Sequence, residues 1–228
     1  MIYVTGDTHN LLDVSKVKEF IKNNHLTKKD YLIIVGDYLC PTFGHEIPYD
    51  ESFHFWNNMP MNILFIDGNH ENFYQLNKMP IEIWNGGKIH RLSDNIIHLM
   101  RGQVFTLENK TFFTMGGAIS PDKERRVLGY SYFKEEDCSY EETNEALNNL
   151  EKVNNKVDIV LTHTIGDIFL RKNMLEYFSL QPSYSGAINN FLDYIEDIVT
   201  YNHWYFGHFH KDIEFKNHTL LYQKVKLI

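Results

Sequence analysis

At five places in the chain, metal-competent side chains stand directly behind a short apolar run. They are Asp7 with His9, Asp37, Asn69 with His70, His163, and His208 with His210. Carboxylate, carboxamide and imidazole groups mixed in this way suit Mn, Fe, Zn or Co better than Ca, which prefers all-oxygen sites. In the last of the five, "GHFH", an extended backbone turns residues two apart to the same side, so both imidazoles can reach one place. A single "GD" behind a strand is an ordinary turn. Turn chemistry selects Gly, Asn, Asp and Ser but not histidine, so five such ends point to convergence on one site.

The elements that must bring them together are legible as short β-branched and aromatic runs at 2–7, 31–37, 62–70, 157–163 and 203–210. Each reads as a strand buried on both faces. Helical spacing of apolar residues marks 11–24 and 185–200, and Ser139 with Glu142 three residues later forms a capping-box start for 139–155. Alternating strands and helices predict layered α/β architecture, with ligands gathered at the carboxyl ends of the strands. The stretch 95–117 predicts a three-stranded antiparallel meander, and Lys216–Asn217 the turn of a last hairpin. Stretches 38–61, 72–94 and 118–138 read as long loops, where function often resides. With no linker, repeat or low-complexity tract, residues 1–228 read as one domain.

Composition sets further bounds. A net charge of -8 argues against general binding to nucleic acid, which needs a basic face. Two cysteines, Cys40 and Cys138, make no disulfide framework and point to a reduced setting. No leader pattern and no apolar run near the ~20 residues of a membrane span is visible, so a cytoplasmic protein without a membrane partner is expected.

In order, "GDTHN", "GDYLC", "GNHE", "THT" and "GHFH" resemble the signature blocks of the calcineurin-like metallophosphoesterases, from residue 5 to residue 210. The resemblance implies a four-layer α/β/β/α sandwich of two mixed sheets around a two-metal centre. It implies that Asp7, His9, Asp37 and His210 hold one ion. Asp37, Asn69, His163 and His208 would hold the other, with Asp37 bridging. Two divalent or trivalent ions (Mn, Fe, Zn, Ni or Co, with Mn or Fe favoured) are the implied cofactors. His70 matches the family's non-ligand histidine, which stabilises the transition state or protonates the leaving group. Asp67 either orients His70 or caps a turn.

Three departures from the family pattern stand out. Asn10 replaces a frequent glycine. "GDYLC" lacks the acidic and arginine residues of the phosphoprotein phosphatase branch, and "THT" continues into "IGD". The stretch 116–129, "GGAISPDKERRVLG", resembles one in bacterial and phage members and sets Arg126 where arginine usually stands. A guanidinium fork there suits a phosphate oxygen, so Arg126 joins Asn69 as a substrate-binding candidate; a solvated charge cluster is the alternative. Histidines 25, 45, 54, 90, 98, 203 and 218 read as ordinary surface or core residues, with His45 and His54, in the loop after "GDYLC", the first candidates for an exception. The implied activity is hydrolysis of a phosphate mono- or diester by metal-bound hydroxide, with His70 and Asp37 as catalytic residues. The alternative is an inactive interaction scaffold of the same fold, which would be expected to lose His70 or several ligands.

Overall fold

A computed structural model describes residues 1–38, 51–178 and 185–228. Cys40 and His45 lie outside the described residues. The first strands are β1 (Ile2–Thr5), β2 (Tyr31–Val35) and β3 (Asn62–Ile66), with α1 (Ser15–Asn23), α2 (Glu51–Asn57) and α3 (Phe73–Leu76) after them in turn. Next come β4 (Ile81–Trp84), β5 (Gly87–Ser93), β6 (Ile96–Leu99), β7 (Gln103–Leu107) and β8 (Lys110–Met115). Then follow α4 (Tyr140–Lys152), β9 (Ile159–Thr162), α5 (Asp167–Asn173), α6 (Ala187–Ile198) and β10 (His203–Phe206). The chain closes with β11 (Ile213–Glu214), β12 (His218–Leu220) and β13 (Lys226–Leu227).

Among the described residues these strands form two mixed sheets, ordered β13-β1-β2-β3-β6-β5-β4 and β11-β12-β10-β9-β8-β7. The side-chain alternation of the strands explains why there are four layers. Along β2, Ile33 and Val35 enter a cluster shared by both sheets with Leu64, Phe105, Phe112 and Leu161. Leu32 and Ile34 point the other way, against Val17 of α1 and Trp56 of α2. Across the second sheet, Val160, Trp204 and Phe206 meet Leu150, Leu170, Leu192 and Ile195 of the helices α4, α5 and α6. Three apolar layers separated by two sheets give an α/β/β/α sandwich, each buried Leu or Ile contributing about 1.5–3 kcal/mol. The capping box of α4 is formed: Ser139 Oγ accepts from Glu142 N at 3.2 Å, and Glu142 Oε2 accepts from Ser139 N at 2.7 Å. No described helix is long and apolar enough to cross a membrane.

Two expectations need correction. The stretch 95–117 is not one meander. β6 pairs with β3 and β5 in the first sheet, whereas β7 and β8 form a hairpin in the second, so the chain changes sheets through Met100–Gly102. Nor are 72–94 and 38–61 irregular throughout: the first holds α3 and the β4–β5 hairpin, and α2 occupies 51–57 of the second. Asn85 (φ 49°) and Gly86 (φ 97°) form that hairpin's two-residue turn, both left-handed, as a type I′ turn requires. The last hairpin forms as expected, with Glu214 opposite Thr219.

Candidate metal centre

Strands β1, β2 and β3 run parallel in one sheet, and β9 and β10 run parallel in the other. Their carboxyl ends meet across the sandwich. His163, just past β9, sets Nδ1 2.8 Å from the carbonyl of Val35 at the end of β2. The backbone N–H of His208, past β10, donates to both oxygens of Asp7, past β1, at 3.1 and 3.0 Å.

Asp37 stands in the middle. Its Oδ2 lies 3.2 Å from His9 Nε2, and its Oδ1 lies 3.4 Å from His163 Nε2 while accepting from His70 N at 2.8 Å. On one side, single donor atoms of Asp7, His9, Asp37 and His210 all fall within 4.8 Å of one another. On the other, His163 Nε2 is 3.1 Å from Asn69 Oδ1, and the rings of His163 and His208 meet edge to face at 5.1 Å. Asp7, Asp37 and His163 are fully or almost fully buried, whereas His210 is exposed.

The charges of this cluster ask for cations. Burial alone would lower the pKa of His163, but Asp37 beside it reverses the shift and pushes it up to about 9. His9 is likewise lowered by burial, and the hydrogen bond and charge of Asp37 more than reverse this. Burial would raise Asp37, yet His163 holds its carboxyl well below the usual carboxylate range. In the metal-free chain, the proton that His163 holds at neutral pH supplies positive charge among buried oxygens. If His163 donates Nδ1–H to Val35, its Nε2 lone pair faces the oxygens of Asn69 and Asp37, and only a proton or a metal ion satisfies all three. The donor set therefore fits transition-metal ions.

The sequence profile described as calcineurin-like phosphoesterase matches residues 1–212. The chain belongs to this family. No curated protein matches it. Its fold is similar to the crystal structure of phosphopantetheinyl hydrolase from Mycobacterium tuberculosis, at 13% identity and a TM-score of 0.50, over 97% of this chain and 87% of that one. It is also similar to a Staphylococcus aureus structure described as a 5'-nucleotidase in complex with alpha-ketoglutarate, at 15% identity and a TM-score of 0.48. That match takes in 97% of this chain but 48% of the other, so this chain spans about half its length.

Within this family member the backbone at the cluster is strained. Asp7 (φ 46°), His9 (φ 42°), Asn10 (φ 64°), Asp37 (φ 52°), His208 (φ 72°) and His210 (φ 48°) all occupy the left-handed region. Each costs on the order of 1 kcal/mol or more, and such residues concentrate at functional sites. The glycines of the signature blocks have steric reasons. A Cβ at Gly68 would stand 2.1 Å from Asp37 Oδ1, and one at Gly207 would stand 2.4 Å from Asp7 Oδ2.

Arg126 reaches the cluster, with Nη1 3.1 Å from His70 Nδ1 and Nη2 3.4 Å from His70 Nε2, while Nε pairs with Asp122 at 2.7 Å. Its neighbour Arg125 is exposed. Asn69 Nδ2 donates to Ser120 Oγ at 3.0 Å. Asp67 neither faces His70 nor caps a simple turn: its Oδ2 accepts from Arg101 Nε at 2.7 Å, and its Oδ1 lies 3.2 Å from His98 Nε2. His98 is thus not an ordinary core residue but part of this buried network.

Sequence reasoning also missed the residues behind the ligands. Asp13 Oδ2 contacts His9 Nδ1, and Tyr222 Oη donates to Asp13 Oδ1 at 2.9 Å. The Tyr222 ring stacks on His210 at 4.8 Å. Lys16 Nζ donates to the carbonyls of Gly6, Asp7 and Tyr222, and its burial lowers its pKa to about 8. Only Asp13, four residues after His9, offered a local signal.

Proposed function

We propose that this protein is a dinuclear metal-dependent phosphoesterase that hydrolyses phosphate mono- or diesters. The observation that carries this reading is the place of Asp37, one carboxylate facing donors on both sides. Asp7, His9, Asp37 and His210 would hold one ion, and Asp37, Asn69, His163 and His208 the other, with Mn or Fe favoured. Bound there, such ions lower the pKa of a coordinated water and stabilise charge on phosphoryl oxygens.

The remaining work falls to side chains. Burial lowers the pKa of His70; the Asp37 carboxylate opposes this shift and the Arg126 guanidinium adds to it. The net shift is downward, so the ring is neutral at pH 7 and can donate an N–H to an oxygen that gains charge in the transition state. Arg126 presents its N–H groups to the same place, and a phosphoryl oxygen competes with His70 for them. Asn69 gives one N–H to Ser120, and we assign the other to substrate.

We read residues 1–228 as one domain working in the cytoplasm. Cys138 is a free thiol whose pKa burial pushes up to about 12, leaving it inert. The test is a screen of p-nitrophenyl phosphate, bis-p-nitrophenyl phosphate and nucleotides with Mn, Fe, Ni and Zn, beside elemental analysis. Turnover with about two ions per chain is expected. Fully loaded protein that cleaves no ester would overturn the reading in favour of a scaffold.

A further inference from the structure

Arg101 lies buried in the crossing between the two sheets. Its guanidinium ties together segments far apart in the chain. Nε and Nη2 donate to Asp67 Oδ2 at 2.7 and 2.5 Å, and Nη2 also donates to the Glu135 carbonyl at 2.6 Å. Nη1 donates to the Asp137 carbonyl at 2.8 Å and to Glu142 Oε2 at 3.3 Å. Asp67 stands three residues before His70, and its own carbonyl accepts from Gly117 N at 2.9 Å. Glu135 and Asp137 close the stretch that carries Ser120 and Arg126. Between them, the buried Glu136 carboxylate accepts from Ser120 N at 3.1 Å and from Phe133 N at 3.2 Å.

The two glycines of "MGGA" keep this passage open. A Cβ at Gly116 would meet Asp67 Oδ1 at 2.4 Å, and one at Gly117 would meet the Glu136 carbonyl at 2.7 Å and Arg101 Nη2 at 2.8 Å. The two loops so fastened are the ones that touch at the site, through Asn69 with Ser120 and through His70 with Arg126. Stability is a weak reason for a buried ion pair, because desolvation offsets much of the attraction. A planar fork that holds two loops in fixed register is a better one, and lysine cannot reproduce it.

We propose that Arg101 is a positioning residue for hydrolysis, fixing the loop of His70 against the loop of Arg126. The inference rests on the phosphoesterase reading above. Arg101→Lys, Arg126→Ala and the double variant provide the test, each loaded with metal. A displacement of about 1 Å at a reacting group can cost roughly 10²-fold, so Arg101→Lys should lose about that in kcat, with metal content kept and KM changed less. In the Arg126→Ala background the same change should cost less than it does alone, because one of the two contacts it positions, His70 with Arg126, is already gone and only Asn69 with Ser120 remains. Losses that multiply, or unchanged turnover in Arg101→Lys, would overturn the proposal.

Amide hydrogen exchange provides a readout that needs no turnover. It should rise together in 67–71 and 116–137 of Arg101→Lys and stay unchanged in segments that Arg101 does not touch; unchanged exchange in both loops also overturns the proposal. A wild type that cleaves no ester defeats the functional reading, while the exchange experiment still decides whether Arg101 couples the loops. If Arg101→Lys does not fold, Asp67→Asn, which weakens the same link from the other side, is read by the same criteria.

Discussion

Asp13 holds His9 by its far nitrogen: Oδ2 lies 2.7 Å from Nδ1, and Nε2 is thereby turned toward Asp37. A carboxylate behind a ligand histidine fixes its tautomer and raises its basicity, and losing such a partner typically costs 10–100-fold in metal affinity. Asp13→Asn should therefore weaken metal binding by about that factor while the fold persists. Titration of Mn against a chelator of known affinity reads the change, and unaltered affinity would remove Asp13 from the site.

His70→Ala should keep metal content and fold but lose about 10²–10⁴ in rate. Because burial and Arg126 outweigh Asp37 and keep the ring neutral, the loss should be similar for p-nitrophenyl and alkyl esters. A much larger loss on the alkyl ester would make His70 the proton donor to the leaving group instead.

Metal affinity should depend on pH in a defined direction. His163 is lifted to about 9 from an ordinary 6.5, Asp37 outweighing burial, and an entering ion must displace its proton. Affinity should climb as pH rises toward about 9 and level off above. In the metal-free chain the sign reverses. The stabilisation from protonated His163 is complete below pH 6.5 and is lost as pH rises through about 9. Thermal melts of chelator-treated protein at pH 6, 7.5 and 9 should fall in that order; a flat series would count against the charged imidazole.

Gly68→Ala places a methyl group against the Asp37 carboxylate. Displacing that shared group should empty both halves of the site, whereas Gly207→Ala, which presses on Asp7, should empty mainly one. Elemental analysis after saturation separates the two outcomes, and normal metal content in Gly68→Ala would contradict the shared role of Asp37.

Much of this was legible along the chain because β-strands deliver side chains to a common edge, and the five strand ends spell out what they deliver. The capping box at Ser139 was readable for the same local reason. The split between β6 and β7 was not, since a period of two says which residues face inward but not which sheet they join. The β4–β5 hairpin does carry a local signal, Asn85–Gly86, whose two left-handed residues suit a type I′ turn. Tyr222 and Asp13 meet across 209 positions, and nothing local singles out Arg101, because a buried guanidinium is recognised only by partners the fold brings to it.

The left-handed backbone at Asp7, His9, Asp37, His208 and His210 has a consequence for evolution in the laboratory. Glycine would relax each of these positions, and asparagine would fit most of them better than histidine. A library selected for heat resistance alone, without metal, should drift toward those residues and yield its hardiest clones among its least active ones. Adding Mn to the selection should reverse the drift, because the bound ion then rewards the residues that the bare chain would discard.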